Sequence, residues 1–301
     1  MKAHLSERIY LACPVLLQNL LISVFGLMEH MRRYKGPYKE LSQELLRNEF
    51  KSREEIESIQ KNLLSDTLSN ALNSVPFYQK KNIKKPELHN FPIVSRDDVF
   101  NDPESFVSNK YEVNSLMKLH TGGSSGTPLT IYLNKTVRQK SYAFWNVFYQ
   151  RMGFMIGQKK ASLVGRKLQE PDNNNAPFWR YNVYDKQLLL SSYHLNKDNI
   201  PKYITKLNKF KPAIIEGYPL SILRLADHIV EHNIKLDFTP KGISTSSENF
   251  SPSQRNTMEQ AFNCSVYDQY GSAESVVFAS DCEYKTKHIS IEYGLVEVLT
   301  K

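Results

Sequence analysis

Apolar residues recur along the chain with two periods, and the change between them predicts its elements. From Ile9 to Met28 most positions are apolar, interrupted by Pro14, Gln18 and Asn19, which predicts a helix hydrophobic on most faces. Lys39 to Asn73 carries Leu41, Leu45, Leu46 and Phe50, then Ile56, Ile59, Leu63, Leu64, Leu68 and Leu72, at three- and four-residue steps. That spacing places them on helical faces. Val75-Pro76 ends the region, because proline forces the residue before it to be extended. Ser95 is placed to cap a short helix whose first turn holds Asp97 and Asp98, favourable against the helix dipole.

Further on, the period shortens. Ser115–Leu119 and Leu129–Leu133 read as strands, and Asn134 caps a helix rich in aromatics, among them Phe144, Trp145, Phe148 and Tyr149. Lys160–Gly165, Tyr181–Asp185 and Leu188–Ser192 read as strands around a polar loop, Gln169–Ala176. A regular alternation follows: helix Ile200–Phe210, strand Ala213–Tyr218, a helix from Pro219 to Glu231, strand Lys241–Thr245, a helix from Ser251-Pro252 to Phe262, and strand Ser265–Tyr270. Strands alternating with helices across short connections imply parallel, right-handed βαβ units. Val276–Ala279, His288–Glu292 and Leu295–Leu299 are expected as further strands. The fold class expected is α/β, a layered sandwich of mixed and parallel sheets flanked by helices. An N-terminal helical region, 1–74, precedes an α/β core, 75–301.

The chain has 301 residues, of which 41% are hydrophobic, enough for a large core. Three cysteines, Cys13, Cys264 and Cys282, are too few and too scattered for a disulfide framework, which suits a reducing cytoplasm. The net charge of +8 comes from 39 basic and 31 acidic residues. Its densest run, Lys80 to Lys85, has no aromatic stacking platform beside it, so a solvated surface is preferred to a nucleic-acid site. No transmembrane segment is expected, nor a signal peptide, since no small-residue cleavage site follows the first apolar run. That run leads into the basic Met31-Arg32-Arg33-Tyr34-Lys35. Docking onto the body of the protein is its preferred use, and peripheral membrane contact is the alternative.

The candidate chemistry centres on His120-Thr121-Gly122-Gly123-Ser124-Ser125-Gly126-Thr127-Pro128, between two strands. Glycine permits close backbone approach, and successive N–H groups with hydroxyls form a concavity for anions. Two further polar loops fall at the carboxyl ends of parallel strands, where ligands of open α/β sheets sit. They are Ser244-Thr245-Ser246-Ser247-Glu248-Asn249 and Tyr270-Gly271-Ser272-Ala273-Glu274, each with hydroxyls and a carboxylate. A carboxylate near phosphates serves chiefly through Mg²⁺. Gly122 to Gly126 also matches G-x-S-x-G, the nucleophile elbow of serine hydrolases, with Ser124 as nucleophile and His194, His228, His232 or His288 as partner. That elbow turns from a strand into a helix, whereas here a strand is expected to follow. No Gly-Lys-Ser/Thr closes the loop, which excludes a Walker A motif.

In order and spacing these loops resemble the adenylate-forming (AMP-binding) superfamily, within it the phenylacetate–CoA ligase-like branch that includes the CapK capsular polysaccharide biosynthesis proteins. Thr121 to Pro128 matches the family's phosphate loop, [ST]-[SG]-G-[ST]-[ST]-G-x-P, with Thr127 where a lysine is frequent. Tyr270 to Glu274 matches its Y-G-x-x-E. Ser74-Val75-Pro76-Phe77-Tyr78, Phe91-Pro92-Ile93-Val94-Ser95 and Glu216-Gly217-Tyr218-Pro219 resemble further family segments. The resemblance implies the large N-terminal region of such an enzyme. ATP would be bound by Thr121, Gly122, Gly123, Ser124, Ser125, Gly126, Ser246, Ser247, Glu248, Tyr270, Gly271, Ser272 and Glu274. Tyr270 would stack on adenine, and Glu274 would hold Mg²⁺.

The implied reaction activates a carboxylic acid as an acyl-adenylate and passes it to CoA or another acceptor such as a sugar, in capsular or cell-surface polysaccharide biosynthesis. The family's catalytic lysine lies in a C-terminal lid beyond the matched segments. No catalytic residue is therefore assigned here, and the core is expected to stop before the hinge and the lid. The alternatives are a split or degenerate homologue that binds nucleotide or a partner chain supplying the lid, and a serine hydrolase. Cys282 and His288 resemble half of a zinc site found in some relatives.

Overall fold

A computed structural model describes residues 5–121 and 127–297. Helix α1 (Leu5–Ala12) ends before Pro14, and α2 (Val15–Arg33) begins after it. The single helix expected from Ile9 to Met28 is thus two, because proline disfavours helical backbone at the residue before it. The region Lys39–Asn73 likewise divides into α3 (Tyr38–Asn48) and α4 (Arg53–Ser74). At the break Ser52 accepts from the Glu55 N–H while the Glu55 carboxylate accepts from the Ser52 N–H. This capping box satisfies two N–H groups that a continuous helix would bond internally. Val75 is extended, as expected, but Pro76 then opens a further turn, α5 (Pro76–Gln79), at a position where its missing N–H costs nothing.

Helix α6 (Arg96–Asn101) carries the expected cap: Ser95 Oγ accepts from the Asp98 N–H, and Asp98 accepts in return from the Ser95 N–H. Strands β1 (Met117–His120) and β2 (Thr130–Leu133) pair antiparallel. Asn134 Oδ1 accepts from the Val137 N–H at 2.8 Å and caps α7 (Lys135–Arg151). There follow β3 (Lys160–Leu163), β4 (Trp179–Asn182), β5 (Gln187–Leu190), α8 (Ile200–Phe210), β6 (Ile214–Gly217), α9 (Pro219–Glu231), β7 (Gly242–Ser246), α10 (Pro252–Phe262), β8 (Val266–Gly271), β9 (Phe278–Asp281) and β10 (Lys287–Ile289). Leu295–Glu297, expected as part of a strand, has no regular structure, and Val298-Leu299 lie outside the described residues.

The chain forms two compact units. The first comprises residues 1–32, 146–270 and 280–288. Its sheet runs in the order β10-β9-β8-β7-β6-β3-β5-β4. Strands β5, β3, β6, β7 and β8 are mutually parallel, and β4 is antiparallel to β5. Alternate residues Ala161, Leu163, Leu188, Leu190, Ile215, Ile243 and Val266 face one way. Leu207 of α8, Ile222 and Leu225 of α9 and Met258 of α10, all fully buried, pack onto them. Burying one such side chain contributes about 1.5–3 kcal/mol. The helices crossing between parallel strands thereby close one face of the sheet.

The second unit comprises residues 33–145, 271–279 and the segment from 289 on. Tyr38, Leu45 and Leu68 are buried in it, and Phe77 stacks on Phe106 at 4.2 Å. The segment after β10 is tied down by several side chains. Asn48 donates to Glu292 at 3.2 Å, Gln60 donates to the Ile291 carbonyl at 3.2 Å, and the Tyr293 ring meets Phe144 edge-on at 4.7 Å. Gly294 passes so close to Val276 that a Cβ would lie 1.9 Å from its carbonyl oxygen.

Candidate functional site

In the first unit, neighbouring strands bring one group of the expected residues together. Ser246, the last residue of β7, is the register partner of Gln269 on β8, one residue before Tyr270. Both strands end at the same edge of the sheet, the carboxyl edge. Ser247 turns the chain there with φ +73°, and its hydroxyl lies 3.4 Å from that of Ser246. Glu248 accepts from the Leu220 N–H at 3.3 Å, so its carboxylate sits on the first turn of α9, where the helix dipole favours negative charge. The Tyr270 ring is 58% exposed, an open aromatic face at the strand end. Below this edge Thr245 donates to Asp268 at 2.9 Å.

The adjoining strand β6 reaches the same edge at Gly217. A Cβ there would lie 2.6 Å from the Leu163 carbonyl oxygen, so β3 and β6 close up only around glycine. One residue earlier, Glu216 is held on the sheet face opposite α8, α9 and α10. Tyr149 and Ser162 each donate to its carboxylate at 2.6 Å, Gln187 donates at 3.3 Å, and Lys160 Nζ lies 3.2 Å away. Burial alone would push this carboxyl up. The Lys160 charge and the hydroxyl donors outweigh it and hold it below the ordinary carboxylate range.

In the second unit, Thr121 closes the base of the hairpin loop. Its N–H donates to the Leu129 carbonyl at 3.0 Å, and its hydroxyl accepts from the Leu129 N–H at 3.0 Å. Arg96, on the first turn of α6, donates to the Thr127 carbonyl on the far side of the loop. Gly122, Gly123, Ser124, Ser125 and Gly126 lie outside the described residues. In the other loop, the Ser275 N–H donates to the Ser272 carbonyl at 3.1 Å, a turn completed with Ser275 at φ +57°. Ser272 Oγ is buried with no hydrogen-bond partner among the described residues. Glu274 is half-buried, and no described side chain pairs with it. An orphaned hydroxyl and an unpaired carboxylate in one loop suit a bound polar ligand and a hard cation.

The structure thus places Ser246, Ser247, Glu248 and Tyr270 at one sheet edge of the first unit. Thr121, Gly271, Ser272 and Glu274 belong to the second. Sequence reasoning assigned nothing to Arg96 or Asp268. Arg96 carries one visible signal, a cation on the first turn of a capped helix where an anion is preferred. Asp268 carries none.

The loop leads from β1 into the antiparallel strand β2, whereas a nucleophile elbow leads from a strand into a helix. His194, one proposed partner, is engaged by Ser191 at 2.7 Å and by the Glu170 carbonyl at 3.2 Å. No zinc site is assembled around Cys282 and His288 among the described residues. Cys282 Sγ accepts from the Tyr284 N–H, and among the described residues no three His, Cys, Asp or Glu side chains cluster.

No protein-family model matches the chain. Protein CapK of Staphylococcus aureus is 32% identical over 298 residues, a match covering 96% of this chain and 65% of that protein. Among solved structures, a 2-hydroxyisobutyryl-CoA ligase in complex with 2-HIB-AMP and CoA, in the thioesterification state, superposes with a TM-score of 0.58. It shares 17% identity, over 81% of this chain and 55% of the ligase. The open conformation of that ligase gives a TM-score of 0.53 over 75% of this chain and 52% of its own. The chain therefore spans less than two thirds of the length of each of these relatives.

Proposed function

Since the chain is a homologue of CapK and has the fold of an adenylate-forming CoA ligase, we propose that it binds MgATP and serves to activate a carboxylic acid as an acyl-adenylate for transfer to CoA or a sugar. The observation that carries this reading is the meeting of Ser246, Glu248 and Tyr270 at adjacent carboxyl ends of parallel strands. In it the exposed Tyr270 ring stacks on the base, and the hydroxyls of Ser246 and Ser247 orient the adenylate. Ser272 Oγ finds its missing partner on the ligand. Thr121 to Gly126 supply N–H and hydroxyl donors to the phosphates, where transferring charge is best stabilised by donors already in place. Glu274 is the carboxylate for Mg²⁺, which when bound neutralises phosphate charge. These residues bind and orient, and no side chain of residues 1–301 is assigned to the reacting carboxylate. The setting in cell-surface polysaccharide assembly rests on the motif resemblance alone.

The test is calorimetric titration of the chain with MgATP, in parallel on Glu274→Ala, followed by a pyrophosphate-exchange assay over a panel of carboxylic acids. Binding that weakens about tenfold in the variant, a loss of roughly 1.4 kcal/mol, is the expected result. No heat from a well-folded chain would refute nucleotide binding. Binding without exchange would select the second reading, a homologue that needs a separate chain for turnover.

A further inference from the structure

Helix α2 is seated with its polar residues inward. Strand β4 forms one edge of the sheet, and its outward N–H groups would be open to another strand. Instead Asn19 accepts from the Tyr181 N–H at 2.9 Å and Ser23 accepts from the Val183 N–H at 3.0 Å. Gln18, 2% exposed, accepts from the Arg180 guanidinium. Gly26 faces Asn182 so closely that a Cβ would lie 2.2 Å from its amide nitrogen. This seat fixes which face looks out, since turning the helix would orphan the edge of β4. The outward face is apolar: Leu16 is 83% exposed, Leu20 58%, Phe25 52% and Val24 49%, with Leu21 and Met28 beside them. Val183 and Tyr184, in the turn after β4, extend it, both exposed.

We propose that this face is a membrane-docking surface, on which α2 lies flat in the headgroup region of an anionic bilayer. The charge fits, for the chain carries +8, and Arg8 on α1 and Arg32 near the end of α2 are exposed, Arg32 also pairing with Glu29 at 3.2 Å. A strip of apolar side chains bordered by cations binds anionic lipid by both terms. A second copy fits less well. A 19-residue helix is about 28 Å long and about 10 Å wide, so its face offers about 300 Å². A stable dimer needs about 800 Å² from each partner. A bilayer requires no complementary partner shape. No helix among the described residues is long and apolar enough to span the membrane, so the contact is peripheral. The inference does not rest on the nucleotide reading.

The experiment is co-sedimentation of the full chain with vesicles of equal parts phosphatidylglycerol and phosphatidylcholine, with phosphatidylcholine vesicles as comparison. Leu20→Glu/Val24→Glu changes two exposed positions and is expected to keep the melting curve while lowering affinity for anionic vesicles more than about tenfold. Phe25→Trp is expected to shift its emission to the blue when those vesicles are added. A folded chain that neither sediments with them nor shifts in the Phe25→Trp form would overturn the proposal. So would equal binding by the double variant. Self-association in sedimentation velocity, abolished by the double variant and unaccompanied by vesicle binding, would assign the face to a second copy instead.

Discussion

Lys160→Met tests the account of the polar face of the sheet. The substitution keeps the length of the stem and removes the cation 3.2 Å from Glu216. Removing one partner of a fully buried ion pair costs about 3–5 kcal/mol, because the other charge is left uncompensated. Here the side chains are 21% and 17% exposed, and Tyr149, Ser162 and Gln187 still donate to the carboxylate. Water and those donors lower the expected cost to about 2–3 kcal/mol, read from urea unfolding at pH 7. The pH dependence has a definite sign. The carboxyl of Glu216 is depressed in the folded protein, so its contribution is present above the unfolded carboxylate range, about pH 4–5. It is lost as pH falls through the lower, folded value. Without Lys160, burial is no longer outweighed and the folded value rises. The gap between wild type and variant should therefore be widest near neutrality and narrow toward pH 4. Adding Glu216→Gln to the variant removes the stranded charge and should restore part of the loss. A cost within about 0.5 kcal/mol, as at an ordinary surface position, or a gap indifferent to pH, would refute the reasoning.

Gly217→Ala forces a Cβ to within 2.6 Å of the Leu163 carbonyl, and should cost about 1–3 kcal/mol in thermal unfolding. Burial, with the Glu259 charge adding to it, pushes the Cys264 thiol up to about 12. Below that pH the thiol stays neutral, so iodoacetamide at pH 8 should modify Cys264 far more slowly in the native than in the urea-unfolded chain, as read by mass spectrometry. Tyr270→Ala should weaken MgATP about tenfold or more, base stacking being worth about 1–3 kcal/mol. Tyr284→Ala, also exposed, should leave the affinity unchanged.

Helices α8 and α9 were legible to the residue, because apolar periodicity and, for α9, the proline at its first turn are local signals. Strand β9 was expected two residues early. Val276-Val277 suits a strand, but Ser275 before it is left-handed and the Val276 carbonyl packs against Gly294, eighteen residues on. The strand-end residues Ser246 and Tyr270 were likewise legible, since short motifs placed them after runs of strand-forming residues. The Glu248 bond to Leu220 and the Arg96 bond to Thr127 were not, because each joins segments about thirty residues apart with no periodic trace. Helix α2 shows where the reading rule itself inverts. Periodicity assigns the apolar face inward, on the premise that burial follows hydrophobicity. Here the neighbour is the hydrogen-bonding edge of β4, which needs Asn19 and Ser23 more than it needs leucine. A helix pattern records two faces, and what each meets depends on an element about 160 residues away. Where the neighbour is polar, the apolar face turns to the solvent side, and it is there that an outside partner has to be sought.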